Sequence, residues 1–349
     1  MHPSHRFSPR RILVLLACVL LVASSALAGE RKIKLNNSAW TTLDHPVTVY
    51  FSIKPCELLN TVSGDKFDVR IHPSHTLVGM KDGYQSVITG MTPFNLIWPA
   101  ATPGAFPLLD LFSLPGLFPN QATSNAVLRD LFAKYPQFEA EIDPAVVRIS
   151  SQVHMRCDLH TRMPIRSLAE LKGKTIGCQN QQVAEALAVL GASTTILEIP
   201  DAYAALDKGV VDGMAGAWGM VSATRLTEVA KYHTLLGICP AASHFLANRK
   251  IVWDNLTPEQ RSIMKQLEPT FQSLIVKGNV ESSMDVRFRD ASPEKGHEMI
   301  TWSQADMDAM RAKFRPIWDK WAADMEKKGL PGKSILEDAI RLVAAYTYG

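Results

Sequence analysis

The sequence predicts an α/β fold of two lobes separated by a cleft, followed by long C-terminal helices. Three observations point there. Residues 165–233 read as consecutive strand–helix units, the pattern of a parallel sheet. About 320 residues remain once an N-terminal leader is set aside, which suits two α/β domains sharing one cleft. No internal repeat or low-complexity linker interrupts the chain, so the lobes are expected to share strands or crossovers rather than a flexible tether.

Taken in order, the first 28 residues have a basic start (Arg6, Arg10, Arg11), an apolar run from Ile12 to Ala23, and Ala26-Leu27-Ala28 as a small-residue cleavage signal before Gly29. They read as a signal peptide cleaved after Ala28, in preference to a lipoprotein box ending at Cys18 or a twin-arginine signal at Arg10-Arg11. The run is too short to span a membrane, and no later stretch reaches about 18 uninterrupted apolar residues. Residues 32–35, 67–71 and 95–98 read as strands of a first lobe, 108–117 as a loop and 122–135 as a helix. Residues 145–154 read as a strand crossing into the second lobe.

In that lobe, 174–178 is a short β-prone run, and 181–190 carries alanines and leucines at helical spacing before Gly191, a natural stop. Residues 194–199 are dense in β-branched side chains and read as a strand. Pro200 and Asp201 open a helix with Asp201 as N-cap, Gly209 closes it, and 210–213 begins a third strand. Ligands of such open parallel sheets lie beyond the carboxyl ends of the strands, here 177–180 and 214–218. Further on, Thr257 caps a helix with Pro258 in its first turn. Residues 303–328 form another helix, whose stripe of Trp302, Met307, Phe314, Trp318 and Trp321 reads as packing.

Charge excludes one class of partner. The leader takes three arginines and no acids out of 37 basic side chains, leaving as many as the 34 acids. A mature chain of zero formal charge lacks the basic surplus of a nucleic-acid binder. Cys157 between His154 and His160, with Asp158 alongside, superficially offers a nucleophile or a metal site. The residues lie too close in one strand to converge, no glycine elbow adjoins Cys157, and the spacing matches no zinc pattern. Walker and dinucleotide glycine motifs are absent, so neither enzyme activity, cofactor nor metal is expected. Cys56, Cys157, Cys178 and Cys239 read as isolated buried thiols, with Cys157–Cys178 the disulfide to consider.

Order and spacing also carry a resemblance. PIRSLAELKGKTI at 164–176, LGAS at 190–193, DAYAALDKGVVDG at 201–213 and LTEVAKYH at 226–233 resemble the solute receptors of tripartite ATP-independent periplasmic (TRAP) transporters, the C4-dicarboxylate-receptor family. FDVRIHPSHTL at 67–77, ATPGAFPLLDLFSLPGLF at 101–118 and FLANRKIVWDNLTPEQRSIM at 245–264 extend it over most of the mature chain. The resemblance implies a two-lobed periplasmic solute-binding fold. Its first lobe would be 29–153 with a return at 240–280, and its second 154–239, with 281–349 packing across both. It implies a receptor that closes on a small organic ligand and delivers it to a permease of small and large subunits. A ligand sensor or chaperone feeding a signalling partner is the alternative.

The pocket departs from the family. Where most members carry the arginine that pairs with the ligand carboxylate, this chain has Gly177, and where they carry asparagine and proline it has Gly216 and Ala217. A wider, more aromatic wall is the consequence expected. The resemblance and the strand ends together nominate Trp98, His154, Arg156, Gly177, Gln179, Asn180, Gly216 and Trp218 as ligand-binding. Trp98 and Trp218 are expected to face each other as an aromatic clamp, and His154 reads as either a cleft group or a hydrogen-bonded structural histidine. Either the ligand is neutral, aromatic or cationic, which is the preferred expectation, or Arg156 has taken over the carboxylate.

Overall fold

The computed structural model describes residues 32–348. The leader, its cleavage site and the alternatives at Cys18 and Arg10-Arg11 lie outside the described residues. The described strands are β1 (Ile33–Ser38), β2 (Phe67–His72), β3 (Phe94–Ile97), β4 (Val146–Val153), β5 (Asp158–Thr161), β6 (Thr175–Cys178), β7 (Ser193–Ile196), β8 (Gly213–Gly216), β9 (Tyr232–Thr234), β10 (Ala242–Asn248) and β11 (Glu298–Ile300). β1 and β2 pair in parallel, β10 runs antiparallel between β3 and β4, and the remaining six strands form one sheet in the order β11-β9-β5-β8-β6-β7.

Alternation along each strand divides the interior. In β10, Phe245 and Ala247 enter a core with Trp98, Phe94 and Phe271, while Leu246 enters another with Phe112, Leu131 and Trp321. In the six-stranded sheet, Leu159, Ile176 and Ala215 pack on one side beneath helix Gln181–Val189, and Met214, Leu206 and Trp218 pack on the other. Helix Gln304–Lys327 serves both lobes. Its Met310 and Phe314 join the second-lobe core, and its Trp321, Ala322 and Met325 the first.

Local signals explain most boundaries. Asn180 accepts a hydrogen bond from Val183 N at 2.9 Å and starts its helix, and Thr257 and Gln260 form a reciprocal capping box. Two expectations fail. Ile199–Asp201 is a 3-10 turn, so Asp201 already has helical dihedrals and its side chain accepts no cap bond. The third strand starts at Gly213, because Val210 and Val211 still donate back to Ala205 O and close the preceding helix.

Two chain segments join the lobes side by side. His154 N donates to Ala241 O at 2.8 Å, Cys157 N to Cys239 O at 3.0 Å, and Ile238 N to Cys157 O at 2.9 Å. Helix Glu268–Asp285 adds a third connection, packing against β4 in one lobe and helix Trp218–Ala223 in the other.

Burial holds five histidines neutral. It pulls His154 and His244 down to about 3, His160 and His297 to about 4, and His233 to about 2. Their stabilising effect is complete above the unfolded value near 6.5 and is lost as pH falls toward the folded values. Burial acts oppositely on Asp110 and Glu141, raised to about 6 and about 7, which bind protons earlier when folded. Burial also lowers His45 and raises Asp158, and six histidines against three carboxyls leave the unfolded chain the stronger proton binder, each excess proton costing about 1.4 kcal/mol per pH unit. Calorimetry from pH 7 to 4.5 should therefore show a steadily falling melting temperature. A flat profile would mean that these rings are not neutral in the folded protein.

Candidate functional site

Register brings three separate segments to one edge of the six-stranded sheet. β5 runs antiparallel to β8 with Asp158 opposite Gly216, and β8 runs parallel to β6 with Met214 opposite Gly177. The start of β5, preceded by Arg156, thus lies beside the ends of β8 and β6, from which Trp218, Gln179 and Asn180 continue.

Arg156 is the unusual member. Its guanidinium lies against the Gly237 backbone, where an added Cβ would stand 2.4 Å from its Cζ, and Gly237 holds φ +56°. Its hydrogen bond to Gly237 O is long, 3.5 Å, and among the described residues it forms no ion pair. Burial lowers its pKa, with the charge of Asp158 pulling the other way. Asp158 is already engaged, accepting from Gly237 N at 2.9 Å and Trp218 Nε1 at 3.1 Å, and burial raises its pKa. Gln179 Nε2, just past the end of β6, is buried without a partner. Asn180 spends its side-chain oxygen on the helix cap.

The wall is not widened at Gly177 and Gly216. A Cβ at Gly177 would meet Met214 Sδ at 2.3 Å, and one at Gly216 would meet Met220 Cε at 1.8 Å. Met214 fills the space at Gly177 because register-paired residues on neighbouring strands project from the same face, and Met220 reaches Gly216 from the first turn of helix Trp218–Ala223. Which neighbour folds back over each glycine was not legible in the sequence.

Nor do Trp98 and Trp218 meet. Trp218 is 1% exposed, turned into its own lobe with its ring 4.8 Å from His160 and 4.9 Å from His233 and Arg287 above it at 5.4 Å. Trp98 packs 4.3 Å from both Trp40 and His154, and its Nε1 is buried without a partner. His154 is a hydrogen-bonded buried ring, 2.7 Å from Ser243 Oγ and 3.4 Å from Asn279 Nδ2, with Phe51 at its edge. The aromatic surface of the first lobe is therefore Trp40, Trp98, His154 and Phe51. Trp40 and Phe51 were missed, since a lone aromatic carries no sequence signal for a cleft. The lobes touch at the cleft rim through His45 and Ser222 at 3.2 Å and through Lys81 and Glu198 at 2.6 Å.

Nucleophilic chemistry has no support in β5. Cys157 and His160 project from opposite faces of the strand, and burial pushes the Cys157 thiol up to about 12. All four described cysteines are free, including Cys157 and Cys178. Among the described residues no three histidine, cysteine or acidic side chains are arranged to hold a metal ion, and no helix is long and apolar enough to cross a membrane.

A family model described as bacterial extracellular solute-binding protein, family 7, matches residues 41–324. An uncharacterized protein, YiiZ, from Salmonella typhimurium is 22% identical over 205 residues, 58% of this chain and 62% of that relative, so the chain spans less than two thirds of its length. Among solved structures, a marine metagenome TRAP solute-binding protein specific for aromatic acid ligands, in complex with metahydroxyphenylacetate, is similar at TM-score 0.78 and 22% identity, covering 90% of this chain and 100% of that one. A sugar acid binding protein from Advenella mimigardefordensis, in complex with galactonate, is similar at TM-score 0.74 and 20% identity, covering 89% and 99%. At these identities the likeness is one of fold.

The methionine packing is testable. Gly177→Ala should cost about 1–3 kcal/mol through overpacking against Met214, and adding Met214→Ala should recover most of it. Equal melting temperatures for Gly177→Ala and the parent would show that Met214 moves aside freely. Trp218→Ala should cost about 3–5 kcal/mol of stability, as for a fully buried tryptophan, and thermal unfolding of that variant reads it directly.

Proposed function

The chain belongs to the bacterial extracellular solute-binding proteins of family 7, and from that premise we propose that it captures a small organic acid in the periplasm and delivers it to a TRAP-type permease of small and large subunits. It acts by binding and hinge closure, not by turnover. The eight residues nominated from sequence divide accordingly. Arg156 anchors the carboxylate and Gln179 donates to it. Trp98 supplies an aromatic surface and a free N–H. Gly177 and Gly216, covered by Met214 and Met220, form an apolar floor, with Trp218 behind it. His154 and Asn180 hold backbone and rings in place.

Arg156 is the observation that carries this reading. A guanidinium largely removed from water and lacking an ion pair is a site waiting for an anion, since an unpaired buried charge costs several kcal/mol. Gln179 Nε2 and Trp98 Nε1, both buried without a partner, are also donors. With a guanidinium as the charged group at the strand ends, the preference turns from a ligand without a carboxylate to one paired by Arg156. The polarizable methionine floor suits an aromatic or branched body behind that carboxylate better than a second charge.

A thermal-shift screen of benzoate, mandelate, galactonate, succinate and small amines tests the class. A bound ligand at a hundred times its Kd adds about 2.7 kcal/mol of stability. Monocarboxylates with an apolar body should stabilise most. Arg156→Met should weaken their binding by about 2–5 kcal/mol, read as loss of the carboxylate-induced shift relative to the unliganded variant. Stabilisation by amines alone, or unchanged carboxylate binding in Arg156→Met, would reject the anchor.

A further inference from the structure

Behind the Gly216 end of the ligand wall, four side chains form one line of hydrogen bonds. His160 Nε2 lies 3.1 Å from the Gly216 carbonyl oxygen, and His160 Nδ1 lies 2.9 Å from His233 Nδ1. His233 Nε2 lies 3.0 Å from His297 Nδ1, and His297 Nε2 lies 3.1 Å from Lys231 Nζ. All three rings are buried, and Trp218 packs on two of them.

Both ends of the line have fixed polarity. A carbonyl only accepts, so His160 carries its proton on Nε2 and leaves Nδ1 bare. His233 must then donate from Nδ1, which leaves its Nε2 bare, and His297 must donate from Nδ1 in turn. That leaves His297 Nε2 as an acceptor, facing an ammonium that only donates. Working inward from Lys231 yields the same assignment. With every ring neutral, each ring nitrogen is used once, and an added proton would set two N–H groups against each other. The charged groups around the line are Lys231, Lys295 and Arg287, which oppose protonation, and Asp290, which favours it at His297. Asp158 reaches the Trp218 indole rather than the rings.

We propose that this relay makes His160 a positioning residue for the ligand wall, holding the Gly216 carbonyl and the Trp218 ring in one geometry, with Lys231 setting the direction of donation along the line. The proposal rests on the reading above, that the Gly216 end of β8 lies at the ligand wall with Trp218 behind it. The Gly216 carbonyl is buried at a strand end, so without the His160 N–H it would lose this hydrogen bond, and the following Ala217–Trp218 turn would lose its fixed start.

The relay itself is tested without ligand, by long-range 1H–15N correlation spectra of protein labelled at histidine. The parent should show His160 as the Nε2–H tautomer and His233 and His297 as Nδ1–H tautomers, all neutral from pH 8 to 5. Lys231→Met should allow His297 to take up a proton within that range while His160 keeps its tautomer. An opposite tautomer in any of the three rings, or a Lys231→Met variant that titrates as the parent does, overturns the relay. Positioning is tested with benzoate as probe. His160→Leu should bind at least tenfold more weakly than the parent, and His160→Gln, whose amide can still donate to Gly216, should recover at least threefold of that loss. Equal binding by the Leu and Gln variants rejects the positioning role. Failure of the parent to bind benzoate or any other carboxylate counts against the ligand class proposed above, and the histidine spectra still decide the relay.

Discussion

The antiparallel pairing of residues 153–158 with 237–242 is the interaction on which the rest of the structure depends. One segment leaves the β3-β10-β4 sheet for the six-stranded sheet and the other returns beside it, held by backbone hydrogen bonds at His154, Cys157 and Ile238. Two hydrogen-bonded connecting segments resist shear more than bending, so they fix the registration of the lobes. The same pairing puts Gly237 under Arg156 and makes Gly237 N a donor to Asp158. The hinge and the candidate anchor are thus one piece of backbone.

Around that hinge, the second lobe has exchanged charge for packing. Gly177 and Gly216 leave spaces that Met214 and Met220 occupy, and Trp218 is drawn inward by its hydrogen bond to Asp158. With Met214 0% and Met220 9% exposed, this packing belongs to the core of the lobe and stabilises it in either position of the lobes.

The rim is also where the lobes meet. His45 with Ser222 is a partly buried hydrogen bond and Lys81 with Glu198 an exposed ion pair screened by solvent. Two such contacts do not hold the cleft shut by themselves. The difference between open and closed states is then left to whatever occupies the cleft, as a receptor that must release its cargo requires.

Much of the architecture was legible in the sequence. Runs of β-prone and β-branched residues marked strands, Thr257 marked a helix start, and glycines such as Gly191 marked stops. The order of these elements carried the family that the 41–324 match shows. The misreadings at Asp201 and Val210 are local, arising where a turn borrows residues that favour a cap or a strand. The site was legible only in part. Strand ends and the missing arginine at Gly177 nominated residues that do come together at one sheet edge, because the carboxyl ends of parallel strands are fixed by topology. The partners of each side chain were decided by tertiary structure alone. Met214 covering Gly177, Trp218 turning toward Asp158 rather than Trp98, and three histidines far apart in sequence joining in one line all depend on register between strands, and register is set by the packing of the whole sheet.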